Sequence, residues 1–267
     1  MRRLVTAALL ALGACRSSAT PNVGAPPEPA FREGFVVVDL TRPLDATAPF
    51  VPHPNSFPFE RLEFTGPRTF GWRTGGFSCL DHMGTHVSAP LARLPGGTTV
   101  DKLPAGQLVG PLVVLDLPAS AKDGGVVTSA DVLADERSHG PVPSGSIVVL
   151  RTGRGAMASS DPALLGKRAD GTFSFPGWGD DAVRLLAVER RVRAIGTDGP
   201  AIDSGANWTA APAQSTGSVG GLWFVVGLAD LSKLPARGAT LVVGALPVAG
   251  APGAPARVLA LVPPKAQ

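Results

Sequence analysis

The sequence predicts an α/β domain built on a mixed sheet, and three observations carry that prediction. Short runs rich in Val, Ile and Leu, bounded by Gly or Pro, recur as buried strands do. Segments of helical character alternate with them, the pattern of a sheet covered by helices. After the N-terminal segment no run approaches the ~18 consecutive apolar residues of a membrane span.

Residues 1–14 read as a signal rather than as fold. Arg2 and Arg3 form a basic start, and Leu4 to Leu12 an apolar stretch too short to cross a bilayer. Leu12-Gly13-Ala14-Cys15 resembles the lipobox of bacterial lipoproteins, which implies cleavage before Cys15 and its acylation. An ordinary secretory signal cleaved after Ala14 is the alternative. The expected protein is an exported, cell-envelope lipoprotein, with residues 15–33, rich in Ser, Pro, Ala and Gly, as a flexible tether. Residues 34–267 form the expected domain.

Phe35 to Leu40 is the first apolar strand, ended by Pro43. Five prolines between residues 46 and 67 (Pro49, Pro52, Pro54, Pro58 and Pro67) predict a long loop over a pocket. Leu112 to Leu117, Ser146 to Leu150 and Thr240 to Leu246 are three further buried strands. A short helix is expected to open at Ser129 as its N-cap. Asp180 to Arg191 is a clearer helix, its apolar face drawn from Val183, Leu185, Leu186 and Val188. It feeds a strand over Arg193 to Asp198.

Charge and cysteine content narrow the function. Without Arg2 and Arg3 the 24 basic residues become 22 against 21 acidic ones, so no basic face marks a nucleic-acid partner. Arg190, Arg191 and Arg193 cluster, and are expected to favour a helix C-terminus. Cys79 stands alone besides Cys15, so no internal disulfide is expected and the core must supply the stability.

The chemistry centres on His82-Met83-Gly84-Thr85-His86. Two histidines four apart converge from one short segment, a frequent start for a divalent-metal site. Gly84 and Pro90 favour an extended or turning segment over a helix. By themselves, two such histidines are more often a hydrogen-bonded structural pair than metal ligands.

The surrounding residues resemble the bacterial cyclase family, whose best-known members are kynurenine formamidases. The family motif H-x-G-T-H-x-D-x-P-x-H stands here as His82, Gly84, Thr85, His86, Ser88, Pro90 and Ala92. Val38-Asp39-Leu40-Thr41, Gly110-Pro111, Leu115-Asp116 and Arg151-Thr152-Gly153 match further segments in order. Gly196 to Asp203 corresponds to G-x-D-x-x-S-x-D, with Ala201 in place of serine, and Gly250 to Arg257 resembles the closing loop. The resemblance implies a single-domain, mixed-sheet fold of the swivelling β/β/α type.

It also implies a site that has changed. Ser88, Ala92, Gln214 and Val226 stand where the family carries aspartate, histidine, histidine and glutamate. His82 and His86 remain as ligands for one divalent ion, zinc or manganese. Ser88 and Gln214 are the expected assisting residues, and Phe57, Trp72 and Trp178, with Phe59, the expected substrate contacts. His53, Asp81, Asp198 and Asp203 are candidates by type for a further ligand. Asp198 and Asp203 match positions read as structural, and His139 is expected on the surface. Two functions follow: a divergent metal-dependent hydrolase of a small amide, lactone or cyclic imide, or an inactive descendant that binds a small ligand or a protein partner. Attachment to a membrane by the lipid alone and homo-oligomerisation complete the expectations.

Overall fold

The computed structural model describes residues 34–66 and 70–264. The expected signal, Cys15 and the tether lie outside them. Four strands come first: β1 (Val36–Asp39), β2 (Glu60–Phe64), β3 (Thr74–Ser78) and β4 (His86–Ser88). Then follow β5 (Val109–Asp116), β6 (Val126–Val127), helix α1 (Ser129–His139), β7 (Ile147–Arg151) and β8 (Gly177–Trp178). Helix α2 (Asp180–Arg184) runs on into a π turn over Leu185–Glu189. β9 (Ala194–Thr197), α3 (Pro212–Val219), β10 (Trp223–Val226), β11 (Ala239–Ala245) and β12 (Gly253–Val262) complete the order.

The main sheet is mixed and closed. Its order is β1-β12-β11-β5-β7-β9-β10-β4, and β4 also pairs with β12. β12 thus meets β11 along one edge and both β4 and β1 along the other, which shuts the sheet into a barrel. β5, β7, β9 and β10 are parallel neighbours, and the remaining pairs of this sheet are antiparallel.

Both faces of the parallel strands are buried, which is why they read as unbroken apolar runs. Leu112, Val114, Ile147, Val149, Ala194, Trp223 and Val225 turn into the barrel. Val113, Leu115, Val148, Leu150, Ile195 and Phe224 turn outward onto Ala182, Val183 and Leu186 of the α2 segment and Ala213 of α3.

Several expectations are corrected. The proline-rich stretch is not one loop, because β2 forms within it and pairs with β3 as an antiparallel hairpin. The closing stretch of 250–257 is not a loop throughout, since β12 begins at Gly253. Thr128, not Ser129, caps α1. Its hydroxyl accepts from the Asp131 amide at 3.4 Å, and the Asp131 carboxylate accepts from the Thr128 amide at 2.8 Å. The helix expected to reach Arg191 stops at Glu189, and Arg191 takes a left-handed φ of 53°. Arg190 instead pairs with Glu136 of α1 at 2.7 Å, and Arg193 donates to the carbonyls of Gly106 and Val109. The arginine cluster ties segments together rather than serving a helix end.

Trp178 is a core residue. It is 1% exposed, packs in the outer apolar layer, and its ring N–H donates to the Gly196 carbonyl at 2.9 Å. A buried indole that has spent its donor offers nothing to a ligand. Trp178→Ala should therefore cost about 3–5 kcal/mol of stability in urea unfolding, as removal of a buried aromatic does.

Candidate active site

β4 is three residues long and lies between β10 and β12. Val87 faces into the barrel with Val225 and Ala254, its partners in register. Alternation then turns His86 and Ser88 outward, beside their partners Val226 and Phe224. The position opposite His86 is therefore an aliphatic side chain.

The turn before β4 is held from several sides. Gly84 takes a φ of +60°, open to glycine at little cost, and its amide donates to the Pro49 carbonyl at 2.8 Å. The Thr85 hydroxyl donates to the Gly227 carbonyl at 2.7 Å and accepts the Arg42 amide at 2.9 Å. Gly227 is itself left-handed at φ +70°, and a methyl group there would collide with the Gly84 carbonyl. Gly253 of β12 carries no side chain for a related reason: a Cβ would lie 2.5 Å from the His82 ring.

This frame brings the two imidazoles together. Their ring centroids are 5.3 Å apart, edge to face at 63°. His86 Nδ1 lies 3.0 Å from the Gly84 carbonyl, a contact that requires the hydrogen on Nδ1 and leaves the Nε2 lone pair free. Burial, then the neighbouring His82, pushes the His86 pKa down to about 3. Burial lowers that of His82 as well, against the opposing charge of Asp81. Two neutral imidazoles thus stand side by side near pH 7.

α3 supplies the opposite wall. Buried Asp203 caps it, accepting the amides of Ala213 at 2.8 Å and Gln214 at 3.1 Å, and its pKa is raised by burial to about 6. The cap sets the first turn so that the Gln214 amide donates to the Ser88 hydroxyl at 2.8 Å. Asp198 is buried too and accepts the amides of Thr152, Gly153 and Gly155, so it clamps a turn. Burial raises its pKa.

A cavity of about 420 Å³ opens here, lined by His53, Asp81, His82, His86, Ala92 and Gln214 among others. Ser88 lies buried behind Gln214. Of the expected aromatic contacts, Phe57 and Trp72 are not among its lining residues. Trp72 is 74% exposed, and Phe59 stacks on Phe77 of β3 at 5.9 Å. His139 pairs with Asp135 on α1 at 2.9 Å. Sequence reasoning did not single out Arg93 and Trp208, which also line the cavity. A charge directly after the changed motif position, Ala92, was the available signal for Arg93. Nothing local marked Trp208.

Among the described residues no three His, Cys, Asp or Glu side chains converge as a metal cluster. The donor set suits one divalent ion on His82 and His86, with the Gln214 amide oxygen and water completing it. It does not suit two ions, because Val226 has no donor and Ser88 no charge.

The chain belongs to the cyclase family: the model described as "Putative cyclase" matches residues 38–204. It is 32% identical over 249 residues to an isatin hydrolase of Roseibium aggregatum, covering 85% of this chain and 92% of that one. An isatin hydrolase bound to the product analogue thioisatinate superposes with a TM-score of 0.78 at 27% identity, covering 86% and 93%. A potential metal-dependent hydrolase with cyclase activity gives 0.64 at 25%, covering 85% and 98%.

Two outcomes test this geometry. Gly253→Ala should displace the His82 ring and weaken zinc binding, read by competition with a chromogenic chelator. The neutral burial of His86 makes the unfolded chain bind more protons below pH 6.5, so stability falls with pH until about 3. In metal-free protein this one group should remove about 2 kcal/mol between pH 7 and pH 5. His86→Asn should flatten that slope in urea titrations at the two pH values.

Proposed function

We propose that this chain is a hydrolase of small cyclic amides that works at a one-metal version of the cyclase-family site. The observation that carries the reading is the pair of neutral imidazoles, His82 and His86, converging in a cavity with free lone pairs. The likeness to isatin hydrolases over most of the chain supports the substrate class. Zinc or manganese is the expected ion.

When bound, the ion would acidify water and polarise the amide carbonyl. The chain's own residues supply the rest. The Gly84 carbonyl fixes the His86 tautomer, so Nε2 is the nitrogen that would hold the ion. Gln214, steadied by Ser88 and by the helix cap of Asp203, orients water by hydrogen bonding. Val51, Leu80 and Trp208 provide apolar walls for a ring. Ala92 cannot move a proton. His53, on the facing loop, is the imidazole in the cavity outside the ligand pair, and it takes that role.

A second reading is favoured by Val226 opposite His86 and by Ala92: the cavity binds a ligand without turning it over. Elemental analysis separates the two. The full chain, incubated with zinc or manganese and desalted, should hold about one ion, lost in His82→Ala. It should then open isatin, followed by loss of its visible absorbance. No retained ion, or a retained ion with no turnover of isatin or related cyclic amides, would leave the binding reading.

Three further proposals accompany it. Ser88→Asp, Ala92→His, Gln214→His and Val226→Glu together should raise metal affinity, because Ala92 and Gln214 line the cavity, Ser88 bonds Gln214 and Val226 is the register partner of His86. Self-association is supported by the exposed Phe64, Phe70, Trp72 and Phe77 on and beside the β2–β3 hairpin. Light scattering at micromolar concentration should give more than the monomer mass. Export and acylation at Cys15 would be read by mass spectrometry of the mature N-terminus.

A further inference from the structure

Arg93 is the cationic side chain in the cavity wall, and nothing above gives it a function. It follows Ala92 at the end of a short 3-10 turn over Pro90–Ala92. One terminal nitrogen, Nη2, donates to the carbonyls of Trp208 and Thr209, each at 3.1 Å. Those bonds anchor the guanidinium against the loop before α3. They leave Nη1 and Nε without an acceptor among the described residues. Arg93 also forms no ion pair there. Arg93 is exposed, so those donors face water and stay open to an anion, while the bonds of Nη2 hold the guanidinium at the cavity rim.

The rest of the wall sets what kind of anion fits. Val51, Leu80, Ala92 and Trp208 are apolar, and the volume of about 420 Å³ suits a one- or two-ring molecule. Asp81 also lines the cavity, so a ligand carboxylate is disfavoured beside it and favoured at Arg93. Arg93 acts electrostatically on both His82 and Asp203, which places its charge near the histidine pair and near the cap of α3.

The geometry points to a carboxylate subsite at Arg93: the cavity takes small aromatic or cyclic carboxylates, held by Nη1 or Nε of Arg93 with the ring on the apolar wall. As a statement about binding this stands on the cavity alone. As a statement about substrate it rests on the hydrolase reading, and selects cyclic amides that carry a carboxylate besides the bond to be opened.

Calorimetry with the full chain, stripped of metal by chelation, tests it. The probes are indole-2-carboxylate and its neutral amide, indole-2-carboxamide. The acid should bind at least about tenfold tighter, as one charge-assisted hydrogen bond provides. Arg93→Gln should bring the two probes to within about twofold, while Arg93→Lys keeps part of the preference. Because Arg93 also anchors the Trp208–Thr209 loop, far-UV dichroism and the unfolding midpoint accompany each variant. The unaltered protein gives a second reading, since its preference should shrink as salt rises from 20 to 200 mM. Equal affinities, a preference that survives Arg93→Gln or is indifferent to salt, or no binding of either probe up to millimolar concentration would overturn the subsite. Isatin turnover is measured separately. Its absence with the acid preference intact would end the hydrolase reading and leave the subsite standing.

Discussion

The site depends on the pairing of β4 with two strands at once. Three residues, His86, Val87 and Ser88, bridge β10 and β12 and so complete the barrel wall. Val87 fills the interior, and the same alternation forces its two neighbours to the other face. Chemistry and closure are thus properties of one short strand. A shift of one residue in register would bury the histidine in the barrel and expose the valine to the cavity.

α3 depends on that wall in turn. Gly217 lets the helix sit close to β10, because a Cβ there would come within 2.9 Å of the Phe224 ring. With the helix seated and capped by Asp203, Gln214 reaches Ser88. Position 88 carries a neutral hydroxyl bonded to Gln214, and position 226, opposite His86, an aliphatic side chain. The charges in the cavity lining are those of Asp81 and Arg93, beside imidazoles that burial keeps uncharged.

Much of this was legible in the sequence for a plain physical reason. Strands buried on both faces must be apolar throughout, and β5 and β7 appear as such runs; β11, buried on alternate residues, still shows as a short Val-rich run. The turning character of His82 to His86 followed from Gly84. β12 was harder to see, because Gly253 and Pro255 suit a loop locally, and the glycine is required by a ring from another segment. The β2–β3 hairpin hid among prolines and exposed side chains with little alternation. Trp178 illustrates the limit for aromatic residues: sequence cannot tell a ring that meets a ligand from one that meets the core. Position 93 needed the third dimension, since its partners are the carbonyls of residues 208 and 209.

The hydrogen bonds of Thr85 and the left-handed turn at Gly84 have a consequence for reading relatives of this chain. Thr85 ties the start of β4 to the residue after β10, and Gly84 ties the same turn to Pro49, whether or not any reaction occurs beside them. A Gly-Thr-His string can therefore be kept for the turn alone, and is not by itself a sign of chemistry beside it. What happens in the cavity has to be read from side chains that the turn does not need, Ala92 and Gln214 among them.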